Sequence, residues 1–148
     1  MMPTVNRHAL VPYSAAQMFA LVDDIESYPQ FLPWCKSAKV WSRDGDEVRA
    51  SVELAKGAIQ KSFTTLNRNQ SDKMIEMRLL EGPFRHLQGF WRFDTLGEGA
   101  TTACKVSLDL EYEFSNALLA MTVGPVFNQI ANKLVDAFSQ RAVTVYGK

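Results

Sequence analysis

Residues 104–114 read CKVSLDLEYEF, and apolar and polar side chains alternate along the whole run. A period of two is typical of a β-strand with one face in the core and the other in water. The same alternation recurs upstream, and further strand-like runs lie at residues 5–11, 47–54, 75–79 and 87–93. From about residue 36 the pattern persists for most of the middle of the chain, and it predicts six to seven strands.

Short turn signals separate these runs, at residues 43–46, 56–57, 69–72, 81–83 and 96–99. Connections of this length join antiparallel strands, because parallel strands need long crossovers. One apolar and one polar face for each strand indicates a sheet that is covered on one side only.

The C-terminal segment, about residues 116–146, returns to a period of 3.6 and predicts the element that covers the sheet. Gly124-Pro125 should break or kink this helix near its start. Thirty helical residues would span about 45 Å, enough to cross the sheet. One stripe of this helix carries Phe127, Ala131, Leu134, Phe138, Ala142 and Val145. The fold class is therefore predicted to be α+β.

Two short helices are expected between the first strand and the sheet. Ser14 is a candidate N-cap, and the apolar positions after it suit a short amphipathic helix. The next stretch, residues 21–35, reads LVDDIESYPQFLPWC and carries aromatic side chains between two prolines. Aromatic residues on a stiffened connector usually close over something apolar, either the core or a ligand.

Composition limits the function classes. The 148 residues suit a single domain over residues 1–148, and 16 basic residues balance 16 acidic ones, which argues against DNA binding. No secretory leader or membrane-length apolar run is apparent. Two cysteines without a CxxC motif suit the cytoplasm. We expect a cytoplasmic protein, with peripheral contact at the inner face of the cytoplasmic membrane as an option.

Catalytic signals are sparse. His8 and His86 lack metal-ligand spacing, and GxSxG, P-loop and GxGxxG motifs are absent, so we predict no metal and no cofactor. Cys35 has no adjacent base and reads as a small buried hydrophobe. The acidic group of Asp23, Asp24 and Glu26 is interpreted as helix capping rather than a catalytic pair. The sequence favours a binding protein without catalytic residues.

Four segments together resemble the coenzyme Q-binding START family, within the START and polyketide-cyclase-like superfamily: VPYSAAQMFALVDDIESYPQFLPWC (11–35), LLEGPFRHLQGFWRF (79–93), LEYEF (110–114) and VDAFSQRAVTVYG (135–147). The resemblance implies a helix-grip fold, in which a curved antiparallel sheet wraps around a long C-terminal helix. It also implies non-enzymatic binding of ubiquinone or a similar polyprenyl lipid in support of respiration. Bacterial members include ribosome-association toxins, so blocking the association of ribosomal subunits is an alternative. An aromatase or cyclase acting on a hydrophobic substrate is a second alternative, with Lys61 and Tyr112 as its candidate acid or base.

A ligand cavity is expected between the sheet and the C-terminal helix. Each candidate residue could equally be part of the hydrophobic core. The prediction of a cavity therefore depends on the architecture, a sheet wrapped around a helix, and not on any single residue. The predicted lining comprises Phe31, Leu32 and Trp34 from the connector, Val52, Leu54, Lys61, Phe63, Met77, Leu79, Trp91, Phe93 and Leu108 from the sheet, and Phe127, Ala131, Leu134 and Phe138 from the helix.

Lys61 shares strand parity with Ile59 and Phe63, so an inward register would place its ammonium in the cavity, where it could donate to a quinone carbonyl. An edge strand, a bulge or the opposite register would place it elsewhere.

Two surface clusters have open interpretations. The apolar group Leu118, Leu119, Met121 and Val123 could form a membrane or lid contact beside Phe31, Leu32 and Trp34, or could pack on the sheet edge. The arginines Arg68, Arg78, Arg85 and Arg92 are candidate ribosome contacts, or part of a mixed-charge solvated sheet.

Overall fold

The computed structural model describes residues 2–97 and 103–147. Its seven strands form one antiparallel sheet in the order β1-β7-β6-β5-β4-β3-β2. The strands are β1 (Thr4–Val11), β2 (Cys35–Asp44), β3 (Glu47–Lys56), β4 (Ile59–Gln70), β5 (Met74–Glu81), β6 (Phe84–Leu96) and β7 (Ala103–Phe114). The predicted α+β class and antiparallel sheet are confirmed. The turn expected at residues 96–99 lies partly outside the described residues.

The helical elements also follow the predicted order. Helix α1 (Ala15–Asp23) begins at Ser14, whose hydroxyl accepts from the Gln17 N–H while the Gln17 side chain accepts from the Ser14 N–H. This reciprocal capping satisfies two backbone donors that a helix start leaves free. A 3₁₀ helix, Ile25–Gln30, follows at once.

The long C-terminal element is two helices. Helix α2 (Ala117–Thr122) ends before Gly124-Pro125, and helix α3 (Gly124–Tyr146) begins there. The break arises because proline cannot donate to the preceding turn, although it is well suited to the first turn of a new helix. At 23 residues, α3 spans about 34 Å rather than the 45 Å of an unbroken element.

Alternation along the strands sorts side chains between the core and the outer face. On β7, Cys104, Val106 and Leu108 are buried and their sequence neighbours are partly exposed. The inward faces of the central strands pack against Val135, Phe138 and Ala142 of α3. Nearer the start of α3, Phe127, Ile130 and Ala131 pack against residues of β3, β6 and β7. The sheet and α3 thus enclose the apolar interior between them.

Gly82, in the turn before β6, is expected to be the glycine least tolerant of substitution. Its φ is +156°, and a Cβ built there would lie 2.7 Å from the Phe63 Cβ and 3.3 Å from the Phe63 Cα. Because backbone must move to make room, Gly82→Ala should lower the free energy of unfolding by about 2–3 kcal/mol in urea denaturation. Gly57→Ala, at φ +62° with open space around it, is the control and should cost only about 1 kcal/mol. Equal losses for the two variants would contradict the packing argument.

Candidate ligand cavity

A cavity of about 110 Å³ lies between the inward face of the sheet and α3. Its walls come from the 3₁₀ segment, five strands and the middle of α3, and nearly all of them are apolar. The lining residues are Ile25, Tyr28, Trp34, Ala50, Val52, Leu54, Phe63, Thr65, Asn67, Met77, Leu87, Trp91, Leu108, Leu110, Phe127, Ile130, Ala131, Leu134 and Phe138.

Phe138 organises one end of this cavity. Its ring centroid lies 5.4 Å from that of Tyr28, 5.3 Å from Phe31 and 5.3 Å from Trp91, each in an edge-to-face arrangement. Such pairs contribute beyond their buried area, because the positive edge of one ring meets the negative face of the other. One helical side chain therefore joins the connector, the sheet and α3.

Most of the predicted lining is found in the wall. The residues placed there are Trp34, Val52, Leu54, Phe63, Met77, Trp91, Leu108, Phe127, Ala131, Leu134 and Phe138. All of the strand members among them lie on inward positions, as the period of two requires.

Five predicted residues lie outside the wall. The Phe31 ring packs edge-to-face against Phe138. The Phe93 ring stacks on Trp91 and packs edge-to-face against Phe19. Leu32 lines a separate surface groove instead of the cavity. Leu79 packs in the same apolar cluster as Phe63. Lys61 has the inward parity of Ile59 and Phe63, yet it is half-buried near the β3–β4 hairpin and is absent from the lining.

Two polar residues in the wall were not predicted. Thr65 and Asn67 lie on β4 with the parity of Phe63, and they are only 9% and 8% exposed. The Thr65 hydroxyl donates to Asn67 Oδ1 over 2.8 Å. Their signal was present in the sequence, since polar side chains at inward positions of a covered strand need a partner. The remaining lining residues that were not predicted are Ile25, Tyr28, Ala50, Leu87, Leu110 and Ile130.

Titratable groups contribute little to the wall. Burial, with a smaller contribution from Asp23, raises the pKa of the Tyr28 phenol, whose hydroxyl donates to the Val22 carbonyl over 2.5 Å. Tyr112, a candidate acid or base, is buried outside the cavity and its hydroxyl accepts from Asn128 Nδ2. Among the described lining residues, Tyr28 is thus the one ionisable side chain, and it stays protonated at neutral pH.

A surface groove of about 340 Å³ adjoins the cavity and shares Trp34, Ile130 and Leu134 with it. The groove runs between α3 and the end of β3. Its other lining residues are Leu32, Pro33, Ala55, Lys56, Gln129, Lys133 and Ala137. Because the same three side chains border both spaces, they form the partition between the cavity and the groove.

The two cysteines are free and buried. Burial raises the pKa of Cys35 and of Cys104 to about 11. Both thiols are therefore protonated at neutral pH, which makes them poor nucleophiles. This agrees with the interpretation of Cys35 as a small buried hydrophobe.

The acidic residues before β2 have structural partners. Asp23 accepts from Arg43 and Asn69, Asp24 accepts from Ser27, and Glu26 accepts from the Val40 N–H. Each contact ties the connector to itself or to the sheet. The expected capping is not found, since Asp24 precedes the 3₁₀ helix without a side-chain cap hydrogen bond.

Helix α2 only partly matches its predicted role at a membrane or lid. Leu118 and Met121 are 69% and 75% exposed. Val123 is buried beside Phe127, which leaves it no surface for a membrane, and Leu119 is partly buried against the same cluster. No α2 residue lines the groove, whereas Leu32 and Trp34 do, so the two clusters do not border one opening.

The four candidate ribosome-contact arginines are each paired with a carboxylate. The pairs are Arg68–Glu47 at 3.1 Å, Arg78–Glu76 at 3.3 Å, Arg85–Glu113 at 2.8 Å and Arg92–Asp109 at 2.7 Å. These exposed pairs contribute little stability. They do, however, reduce the positive potential that the arginines would otherwise present to RNA.

The described residues form neither a metal-binding group nor a membrane-spanning helix. No group of three or more side chains among residues 2–97 and 103–147 could hold a metal ion. Within the same ranges, no helix has both the length and the apolar character needed to cross a bilayer.

Known proteins are similar to this chain in sequence and in fold. Residues 11–139 match the family described as polyketide cyclase/dehydrase and lipid transport. The chain is 45% identical over 143 residues to the ribosome association toxin RatA of Pseudomonas aeruginosa, covering 97% of both chains. It is 26% identical to the mitochondrial coenzyme Q-binding protein COQ10 homolog B of Xenopus laevis, covering 92% of this chain and 56% of that one.

The fold also matches a solved structure. The Zhui aromatase/cyclase of a Streptomyces species superposes with a TM-score of 0.83 at 16% identity, over 99% of both chains. This likeness establishes a shared helix-grip architecture. With the family match over most of its length and a 45%-identical relative, the chain belongs to the polyketide cyclase/dehydrase and lipid-transport family, with the START-like helix-grip fold.

Proposed function

We propose that the protein binds an apolar lipid-like molecule, ubiquinone or a related polyprenyl quinone, in the cavity and carries it unchanged. The observation that carries this proposal is the apolar wall of aromatic and aliphatic side chains, interrupted by one polar pair. Ligand sites commonly combine a mostly apolar wall with a few placed polar groups. The coenzyme Q-binding relative supports the choice of ligand.

The size of the cavity indicates how such a ligand sits. An engineered cavity of about 150 Å³ holds a benzene molecule, so a space of about 110 Å³ must expand to take a substituted ring and excludes a polyprenyl tail. The ring of the quinone would occupy the cavity and the tail would lie in the adjoining groove.

The placement of the polar pair supports an orientation for the ligand. Asn67 lies opposite Val48 on β3, whereas the N–H of Ala55, on the same strand, donates to the carbonyl of Trp34, which lines the groove. Seven residues of β3 separate these two points, so the polar pair lies away from the groove. This arrangement suits a ligand whose polar head enters the cavity and whose apolar tail lies towards the groove.

The proposed role is non-enzymatic. Within the described lining, Tyr28 is the titratable side chain, and its raised pKa and its bond to Val22 leave it unsuited to proton transfer. Lys61 and Tyr112, the candidates for a cyclase, lie outside the wall. A cyclase would need an acid or base against its substrate.

The experiment is organic extraction of gently purified protein from quinone-producing cells, followed by mass spectrometry. We expect close to one quinone per chain, and far less from a matched preparation of the cavity-filling variant Ala131→Leu. Protein that is empty, or a quinone content unchanged by the variant, would contradict binding in the cavity.

A second candidate function is binding to ribosomal subunits, as the name of the 45%-identical RatA relative suggests. Purified protein would be added to separated subunits under conditions that favour association, and the mixture sedimented through sucrose. A fall in associated ribosomes that scales with added protein would support this function, and an unchanged profile would contradict it. The paired arginines lead us to favour a contact made by shape and apolar groups over one made by net positive charge.

A further inference from the structure

The cavity contains two nitrogen donors that have no acceptor. Asn67 Oδ1 accepts from Thr65, and the amide nitrogen Nδ2 has no hydrogen-bond partner among the described residues. The indole Nε1 of Trp91 likewise has none within the described chain, although Trp91 is only 3% exposed. Neither nitrogen is a fully enclosed polar atom, so each keeps a small accessible surface, and both side chains line the cavity.

Donors that face an apolar cavity without a partner are costly. Leaving a buried polar group unpaired costs about 1–3 kcal/mol, and buried polar atoms in native proteins are almost always paired. The Thr65 and Tyr28 hydroxyls each already donate elsewhere and keep lone pairs on oxygen, but within the described residues neither accepts from Asn67 Nδ2 or Trp91 Nε1. The cavity therefore complements a molecule that brings acceptor oxygens.

We propose that Asn67 and Trp91, with Thr65 as a positioning residue, select a ligand with a hydrogen-bond-accepting carbonyl oxygen and discriminate against hydrocarbons. The inference rests on the proposed function and names the chemical group of the ligand that the site recognises. Thr65 acts through Asn67, because its hydroxyl donates to Oδ1 and leaves Nδ2 free to donate to the ligand.

A protein that takes a lipid from a bilayer must recognise the lipid by its polar head group. A polyprenyl tail leaves a bilayer that is already apolar, so it gains little free energy in an apolar groove. A hydrogen bond to the head, by contrast, is strengthened in a dry cavity of low dielectric. A site that is built to pair with a polar group rejects an analogue that lacks it, since its own donors would remain unpaired.

The test uses three ring compounds of nearly one shape: tetramethyl-1,4-benzoquinone, 1,2,4,5-tetramethylbenzene and, under reducing conditions, tetramethylhydroquinone. A fully substituted quinone ring has no free position for attack by a thiol. Calorimetric titrations would compare the wild type, Asn67→Leu, Thr65→Val and the control Thr64→Val. Thr64 lies on the same strand and is bonded to Ser51 outside the cavity.

For the wild type we expect the quinone to bind at least about tenfold more tightly than the hydrocarbon, the factor for one well-placed hydrogen bond. Asn67→Leu should remove this preference by weakening quinone binding while hydrocarbon binding stays equal or improves. Thr65→Val should reduce the preference several-fold, and Thr64→Val should preserve it. The ratio of quinone affinity to hydrocarbon affinity distinguishes a loss of carbonyl recognition from a general loss of packing, because poorer packing would weaken both compounds.

Other outcomes overturn the proposal in distinguishable ways. If the quinone binds and Asn67→Leu keeps the preference, recognition by Asn67 is wrong and the proposed function stands. Tighter binding of the hydroquinone than of the quinone would overturn selection of an acceptor. If the wild type binds none of the three compounds, both the inference and ligand binding in the cavity are wrong.

Discussion

Phe138→Ala is expected to lower the free energy of unfolding by about 3–5 kcal/mol, the range for deleting a buried aromatic side chain. Phe138 is 1% exposed and contacts Tyr28, Phe31 and Trp91, so its removal enlarges the cavity and frees three rings from their partner. Urea denaturation followed by circular dichroism measures the change.

Val145→Ala is the matched control for Phe138→Ala. Val145 lies on the same helix but is 48% exposed, so its truncation should alter stability by less than about 0.5 kcal/mol. A loss below 1 kcal/mol for Phe138→Ala would mean that Phe138 does not join the connector, sheet and helix as the geometry indicates.

The second large effect is expected from Ala131→Leu. Ala131 is 1% exposed and lines the cavity from the middle of α3, so the three added carbon atoms must enter the ligand space. Leucine is a strong helix former, and the existing void reduces the cost of accommodating it. We expect affinity for tetramethyl-1,4-benzoquinone to fall by about 100-fold while the urea midpoint changes little.

Ala16→Leu makes the same change at an exposed position of α1 and should leave affinity at the wild-type value. Undiminished binding by a folded Ala131→Leu protein would place the ligand outside the cavity.

The architecture was predictable because its signals are local. Alternation on β7 and the period of 3.6 on α3 each report which face is buried, and Gly124-Pro125 marks the helix break. The confirmed N-cap at Ser14 is likewise a short-range feature. Such signals can be recognised in the sequence without knowing which residues pack against each other in the fold.

The cavity was only partly predictable, because a void depends on how side chains from distant segments fill space. Lys61 shares its parity with Phe63, and nothing local showed that one lines the cavity and the other does not. Phe93 and Leu32 have the character of lining residues but are used in packing. Thr65 and Asn67 were not considered as lining residues, although they share the parity of Phe63.

The most direct test of ligand binding in the cavity uses the chain's own tryptophans. Of its three tryptophans, Trp34 and Trp91 line the cavity, whereas Trp41 lies on the outer face, where Nε1 donates to Ser51. In a Trp41→Phe protein, the fluorescence therefore comes from the cavity, and a quinone in contact with either indole should quench it.

The measurement is a titration of Trp41→Phe with tetramethyl-1,4-benzoquinone, with N-acetyltryptophanamide as the reference for collisional quenching. Binding in the cavity predicts saturable quenching at one quinone per chain, with a roughly micromolar dissociation constant. Quenching that rises linearly without saturation, at the slope of the free indole, would contradict it.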